Sequence, residues 1–152
     1  MKSVVTGGAG FIGSHLVDAL VARGDAVTVI DNLSTGDLKH ISDHIQSGSV
    51  EFIHADLLGV GWQDTFMGKD RVYHLAADPD VRASSGRPAG VFEQNVGATL
   101  RVLGAMRDAG CDEIVFTSTS TIYGEAEIIP TPENYHRMEP ISIYGGTKLA
   151  LS

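Results

Sequence analysis

The stretch Val4-Val5-Thr6-Gly7-Gly8-Ala9-Gly10-Phe11-Ile12-Gly13 leaves this chain few choices. It reads as an apolar strand, a glycine turn and the start of a helix. Glycine at 7 allows the turn, glycine at 10 lets another backbone approach, and glycine at 13 lets the following helix pack close to the strand. A helix that begins there points its free N–H groups at the turn, where those donors and the helix dipole favour an anion. A pyrophosphate meets that description. The spacing is G-x-x-G-x-x-G, which departs from the usual dinucleotide fingerprint in its first interval, so the reading needs a second residue.

Asp31 is that residue. It follows the apolar run Ala26-Val27-Thr28-Val29-Ile30 and so belongs at the carboxyl end of a second strand, where its carboxylate can accept both ribose hydroxyls of an adenosine. A plain tight turn with Asp31 capping a loop is the competing reading. The order strand, turn, helix, strand, acid favours the dinucleotide. An acid here also repels a 2′-phosphate, and no arginine follows in Asn32-Leu33-Ser34-Thr35-Gly36, which selects NAD over NADP.

The chain has 152 residues, enough for one domain with a sizeable core. With 19 acids against 11 bases, its net charge of −8 argues against a nucleic-acid backbone or an anionic membrane as the main partner. The single cysteine, Cys111, has no internal partner for a disulfide. With a core strand at the very start, no signal peptide is expected, and the protein is expected in the cytoplasm.

Apolar residues at 12, 16, 17, 20 and 21 predict a helix over 11–23 with one buried face. A short helix is expected from about Leu38, with His40 and His44 solvated. Val50 to Ala55 predicts a third strand, and Trp62 to Met67 a short helix with Trp62 and Phe66 in the core. Asp56, just past the third strand, either accepts from an adenine amino group or caps its own turn. Arg71 to Ala77 predicts a fourth strand whose small ending, Ala76 and Ala77, leaves room for a ligand. Pro88 to Ala109 predicts a long helix burying Val91, Phe92, Val96, Thr99, Leu100, Leu103 and Met106. Asn95 lies at the edge of that face, either as a structural bridge or as a contact to a ligand. A fifth strand over 113–117 buries Ile114, Val115 and Phe116. Alternating strands and helices predict an α/β fold, a Rossmann-type doubly wound parallel sheet of five strands with helices on both faces.

Chemistry is expected near the end of the chain. The fifth strand runs into the hydroxyl cluster Ser118-Thr119-Ser120-Thr121, at the strand's carboxyl end, where open parallel sheets bind ligands. Tyr144 and Lys148 are four apart and share a face if helical. A phenol titrates near 10 and is a poor base unless a cation stabilises its phenolate. One positive charge at about 4 Å and an effective dielectric of about 20 is worth about 4 kcal/mol, or roughly three pKa units. Thr119 can hold a substrate hydroxyl beside Tyr144 while the tyrosine removes its proton.

Taken together, the glycine turn, Asp31 to Gly36, His74-Leu75-Ala76-Ala77, the Ser118-Thr119 pair before Tyr123-Gly124, and Tyr144 to Lys148 resemble the extended short-chain dehydrogenases. Within these the chain is most similar to the NAD-dependent nucleotide-sugar epimerases and dehydratases, the UDP-glucose 4-epimerases nearest. The resemblance implies tightly held NAD, with contacts at Gly7, Gly10, Phe11, Ile12, Gly13, Asp31, Asn32, Ser34 and Gly36, at Asp56 and Leu57 around the adenine, and at Leu75, Ala76, Ala77 and Asn95. It implies Tyr144 as acid and base, Lys148 on the nicotinamide ribose, Thr119 as second hydroxyl, and no metal. Arg82 and Ser84 are expected on the side of a nucleotide-sugar substrate, a UDP-hexose.

Related 4,6-dehydratases carry an Asp-Glu pair directly after this threonine, where Ser120 and Thr121 stand here, so the resemblance implies epimerisation at C4. A related dehydratase or decarboxylase, or an NAD-binding module without catalysis, remains the alternative. Relatives continue for about as long again beyond the Tyr-Lys helix, so residues 1–152 are expected to be the N-terminal part of the NAD-binding domain. The complete enzyme is expected to be a homodimer, with this piece inactive alone.

Overall fold

A computed structural model describes the backbone of residues 1–152 and every side chain except those of Ala83 and Ser84. The chain divides into two compact units, Met1–Ala77 with Thr99–Thr117, and Asp78–Ala98 with Ser118–Ser152.

In the first unit, β1 (Lys2–Thr6) lies between β2 (Ala26–Asp31) and β4 (Arg71–His74), flanked by β3 (Val50–His54) and β5 (Glu113–Phe116). The order is β3-β2-β1-β4-β5 with every pair parallel. From β1 the chain winds outward to β3, then returns to the other side of β1 as β4. Right-handed crossovers in opposite directions put their helices on opposite faces, and the order reverses at β1, where open parallel sheets bind their ligands. The expected doubly wound sheet is therefore present.

Strands covered on both faces read as continuous apolar runs. Val4, Val5, Val29, Ile30 and Val72 are fully buried. Helix α1 (Phe11–Ala22) adds Val17 and Leu20 to that core beside Ala9 and Val27. Ile12 does not join them as expected. Gly13 and Ser14 take the inner face of the first turn, so Ile12 and Phe11 point outward. The expected short helix from Leu38 is a 3₁₀ turn, Leu38–His40, followed by α2 (Ser42–Gln46). Trp62 and Phe66 are buried as expected, at the two ends of a tight turn, with ring centroids 5.6 Å apart.

Two strand expectations need correction. β4 ends at His74 rather than Ala77: Leu75 N–H still donates to Thr6 O at 3.1 Å, but Ala76 N–H turns to the Thr6 hydroxyl at 3.3 Å. Ile114 and Val115 are exposed rather than buried, because β5 is an edge strand and β4 is its one partner among the described residues.

The helix expected over 88–109 is three consecutive pieces: α3 (Pro88–Phe92), a π-turn (Glu93–Gly97) and α4 (Ala98–Ala109). Val91, Val96, Thr99 and Met106 are buried as expected, but Phe92, Leu100 and Leu103 are exposed and Ala98, Val102 and Ala105 replace them. A π-turn holds more residues than an α-turn, so a 3.6-residue period carried through it loses phase.

The second unit carries α3, the π-turn, two 3₁₀ turns (Ala83–Gly86 and Ser120–Tyr123) and α5 (Ile143–Leu149). Among the described residues Val91, Val96, Ala98, Ile122 and Tyr135 are its buried apolar side chains, and Tyr135 meets Tyr123 edge to face at 5.8 Å.

Candidate functional site

In the first unit the site is the glycine turn between β1 and α1. Gly7 has φ +73°, and a Cβ there would lie 2.7 Å from Ala76 N. At Gly13 a Cβ would strike Gly7 O and come within 2.8 Å of Gly8 Cα, so the close approach is of helix to turn rather than helix to strand. Gly10 is different: a Cβ there would meet only Gly7 O, at 3.3 Å. That side of the turn is open. The N–H groups of Phe11, Ile12 and Gly13 are the orphan donors of the first helical turn, and no side-chain hydrogen bond caps the helix at Gly10. This arrangement fits a pyrophosphate.

Asp31 is buried and latches the turn to β2. Its Oδ2 accepts from Ala9 N–H at 3.0 Å and its Oδ1 from Leu33 N–H at 2.8 Å. A carboxylate accepts about four hydrogen bonds, so each oxygen retains a position for a ribose hydroxyl. Gly36 packs on Ala9, with room for no Cβ: one would lie 3.0 Å from Ala9 C. Asn32 Oδ1 accepts from Ser34 N–H at 3.0 Å, and Asn32 Nδ2 donates to Asp56 Oδ2 at 3.3 Å. Asp56 Oδ1 caps its own turn through Leu58 N–H at 2.8 Å, and Leu57 is buried.

His40 is exposed and His44 half-buried, so the solvated reading is incomplete rather than overturned, since each ring also has a partner. His40 Nδ1 lies 2.9 Å from Ala9 O, bracing the glycine turn, and His44 Nε2 lies 2.7 Å from Asp18 Oδ1.

Sequence reasoning missed the hydroxyl–imidazole chain under the turn. His74 is fully buried, with Nδ1 2.6 Å from Thr6 Oγ1 and Nε2 2.8 Å from Thr99 Oγ1. The signal was available, since Thr6 and His74 are the polar ends of adjacent strands and are register partners.

The second unit holds the acid/base residues. Thr119 precedes the 3₁₀ turn and accepts from Thr121 N–H at 3.3 Å and Thr121 Oγ1 at 3.2 Å. Burial pushes the Tyr144 phenol above its ordinary value, and the Thr119 hydroxyl only partly opposes it. Lys148 is 3% exposed, and burial pushes its ammonium down to about 8. The expected lowering of Tyr144 by Lys148 is thus not the state of this chain, where desolvation dominates both groups.

Asn95 sits in the π-turn, 2% exposed, as a structural bridge. Its Oδ1 accepts from Asp78 N–H at 2.7 Å, and its Nδ2 donates to Thr147 Oγ1 at 3.0 Å. A cavity of about 350 Å³ in the same unit is lined by Arg82 and Ser85 from one segment, Thr121 and Gly124 from another, and Ile141 and Ser142 just before α5. Arg82, expected on the substrate side, lines this cavity. Ser84 lies outside the described side chains. Among the described residues no group of three or more His, Cys, Asp or Glu is placed to hold a metal ion, and no helix is long and apolar enough to cross a membrane.

A family model described as the NAD dependent epimerase/dehydratase family matches residues 3–152. UDP-glucuronic acid decarboxylase 2 of Arabidopsis thaliana is 37% identical over 144 residues, covering 94% of this chain and 31% of that protein. The UDP-glucose 4-epimerase of Corynebacterium glutamicum is 36% identical over 153 residues, covering 99% of this chain and 44% of that protein. The crystal structure of a UDP-galactose 4-epimerase superposes with a TM-score of 0.87 at 47% identity, over 99% of this chain and 48% of the other. The chain therefore spans less than half the length of each of these proteins.

Proposed function

Since the chain belongs to the NAD dependent epimerase/dehydratase family, we propose that residues 1–152 are the N-terminal, NAD-binding part of a nucleotide-sugar 4-epimerase acting on a UDP-hexose, UDP-glucose first. The open side of the glycine turn and the remaining acceptor positions of Asp31 are the residues that would hold the dinucleotide. Bound NAD supplies an acceptor, and later a donor, for the C4 hydride.

The rest falls to the chain. The Thr119 hydroxyl orients the sugar C4 oxygen, and Tyr144 takes its proton as that carbon is oxidised. After the keto-sugar presents its other face, Tyr144 returns the proton and the C4 epimer is complete. Tyr144 works as a base only when its phenolate is stabilised, and Lys148, one helical turn on, is the cation placed for it. Ser120 and Thr121 offer hydroxyls where the elimination of water would need an acid and a base.

The observation that carries this reading is the presence of Thr119, Tyr144 and the buried Lys148 in one compact unit, with the Thr119 hydroxyl acting on the Tyr144 phenol. Decarboxylation of a UDP-uronic acid is the second reading, favoured by the 37% identity to a UDP-glucuronic acid decarboxylase. It would use the same oxidation at C4. The test is to offer the full-length chain UDP-glucose, UDP-galactose and UDP-glucuronic acid in turn. Interconversion of the first two supports epimerisation, release of carbon dioxide from the third supports decarboxylation, and bound NAD with neither supports a non-catalytic module. A cytoplasmic homodimer of the complete chain belongs to the same proposal.

A further inference from the structure

The helix that carries Tyr144 and Lys148 cannot hold itself. α5 is 7 residues long and contains Gly145 and Gly146. Isolated helices shorter than about 12 residues are marginal, and glycine is among the poorest helix formers. Its geometry must come from anchors outside it. At its start, Ser142 Oγ accepts from Gly145 N–H at 3.0 Å, and Gly145 packs so closely that a Cβ would lie 2.9 Å from both Thr121 O and Pro140 Cβ. Its last turn is held by Thr147, which is 5% exposed and stands between the two acid/base residues in sequence.

The proton accounting at Thr147 has one direction. Its single hydroxyl proton goes to Tyr144 O at 2.8 Å, leaving a lone pair that accepts from Asn95 Nδ2 at 3.0 Å. Asn95 cannot be turned the other way, because its Oδ1 must face the Asp78 N–H that donates to it at 2.7 Å. The amide also closes on Asp78 O at 3.4 Å. A rigid π-turn thus grips the start of the Asp78–Arg87 segment with one end of Asn95 and the Tyr144 backbone, through Thr147, with the other. π-turns recur at functional sites for placements of this kind.

We propose that Thr147 is a positioning residue for the acid/base tyrosine: its hydroxyl relays the fixed position of Asn95 to the Tyr144 carbonyl and so sets where the phenol stands. The proposal rests on the reading of Tyr144 as the proton acceptor. Thr147→Val keeps the shape and removes both hydrogen bonds, whereas Thr147→Ser keeps both. The full-length chain and both variants are assayed for UDP-glucose epimerisation across pH, with kcat and KM separated, and Tyr144→Phe as reference.

Displacing a reacting group by about 1 Å costs of order a hundredfold. The expected result for Thr147→Val is a kcat lowered roughly ten- to a hundredfold, KM within about twofold, and a shift in the ascending limb of the kcat profile, which follows ionisation of Tyr144. Thr147→Ser should restore kcat and the profile. Unchanged kcat in Thr147→Val overturns the proposal, as does a loss that Thr147→Ser fails to restore. If Tyr144→Phe keeps full activity, the reading of Tyr144 fails instead, and this relay with it.

Discussion

The glycine turn and the acid/base helix are both rich in glycine, and in the two places glycine does opposite work. At Gly7 and Gly13 the missing side chains are spaces filled by backbone: Ala76 N against Gly7, Gly7 O against Gly13. In α5 only Gly145 is packed that way, while a Cβ on Gly146 would meet nothing within 4 Å. The turn carries its geometry in its own atoms. The helix borrows its geometry from Ser142, Thr121 and the Asn95–Thr147 relay. A binding loop can be specified by a short local motif, whereas a catalytic pair on a weak helix must be specified from several parts of the chain.

The largest expected effect separates chemistry from binding. Tyr144→Phe in the full-length chain should lower epimerisation by about 10²- to 10⁴-fold and leave the NAD content unchanged; loss of both would mean the two regions do not divide the work. The next separates the two kinds of glycine. Gly13→Ala should destabilise the fold by about 3 kcal/mol, since the backbone of Gly7 and Gly8 has nowhere to go. Gly146→Ala should have the opposite sign, stabilising by up to about 1 kcal/mol. Urea denaturation of both variants checks the contrast, and equal signs would break it.

How much of this was legible in the sequence follows the same division. The turn, Asp31 and the alternation of parallel strands with helices could be read because apolar runs and fixed glycine intervals are local signals. The phase of the helix beyond Pro88 could not, because nothing local marks the π-turn at Glu93–Gly97, and that turn decides that Val102 rather than Leu103 is buried. The exposure of β5 was not legible: Ile114 to Phe116 read as a buried run, and what exposes Ile114 and Val115 is the strand's place at the edge of the sheet. Asn95 is buried within the π-turn, and its partner Thr147 lies 52 residues away, with no spacing rule to join them. The tuning of Tyr144 was overestimated, because the sequence shows a cation four residues on and not the burial of both groups.

A smaller effect tests that burial. Lys148 titrates at about 8 in the folded chain against an ordinary 10.5. Below pH 8 both folded and unfolded chains hold the proton, and the cost of burying the charge is present in full. Between about 8 and 10.5 the folded chain has released a proton that the unfolded chain retains, so stability rises with pH across that window. Lys148→Met should remove this rise, as read by urea midpoints at both ends of the window. An identical slope in the variant would assign the rise to another group.

The most direct measurement is the NAD released when the purified full-length protein is denatured, for the wild type, Asp31→Ala and Tyr144→Phe side by side. Equimolar NAD from the wild type and Tyr144→Phe, with little from Asp31→Ala, is the result expected if the glycine turn binds and the helix reacts. NAD retained by Asp31→Ala, or lost from Tyr144→Phe, would contradict that division.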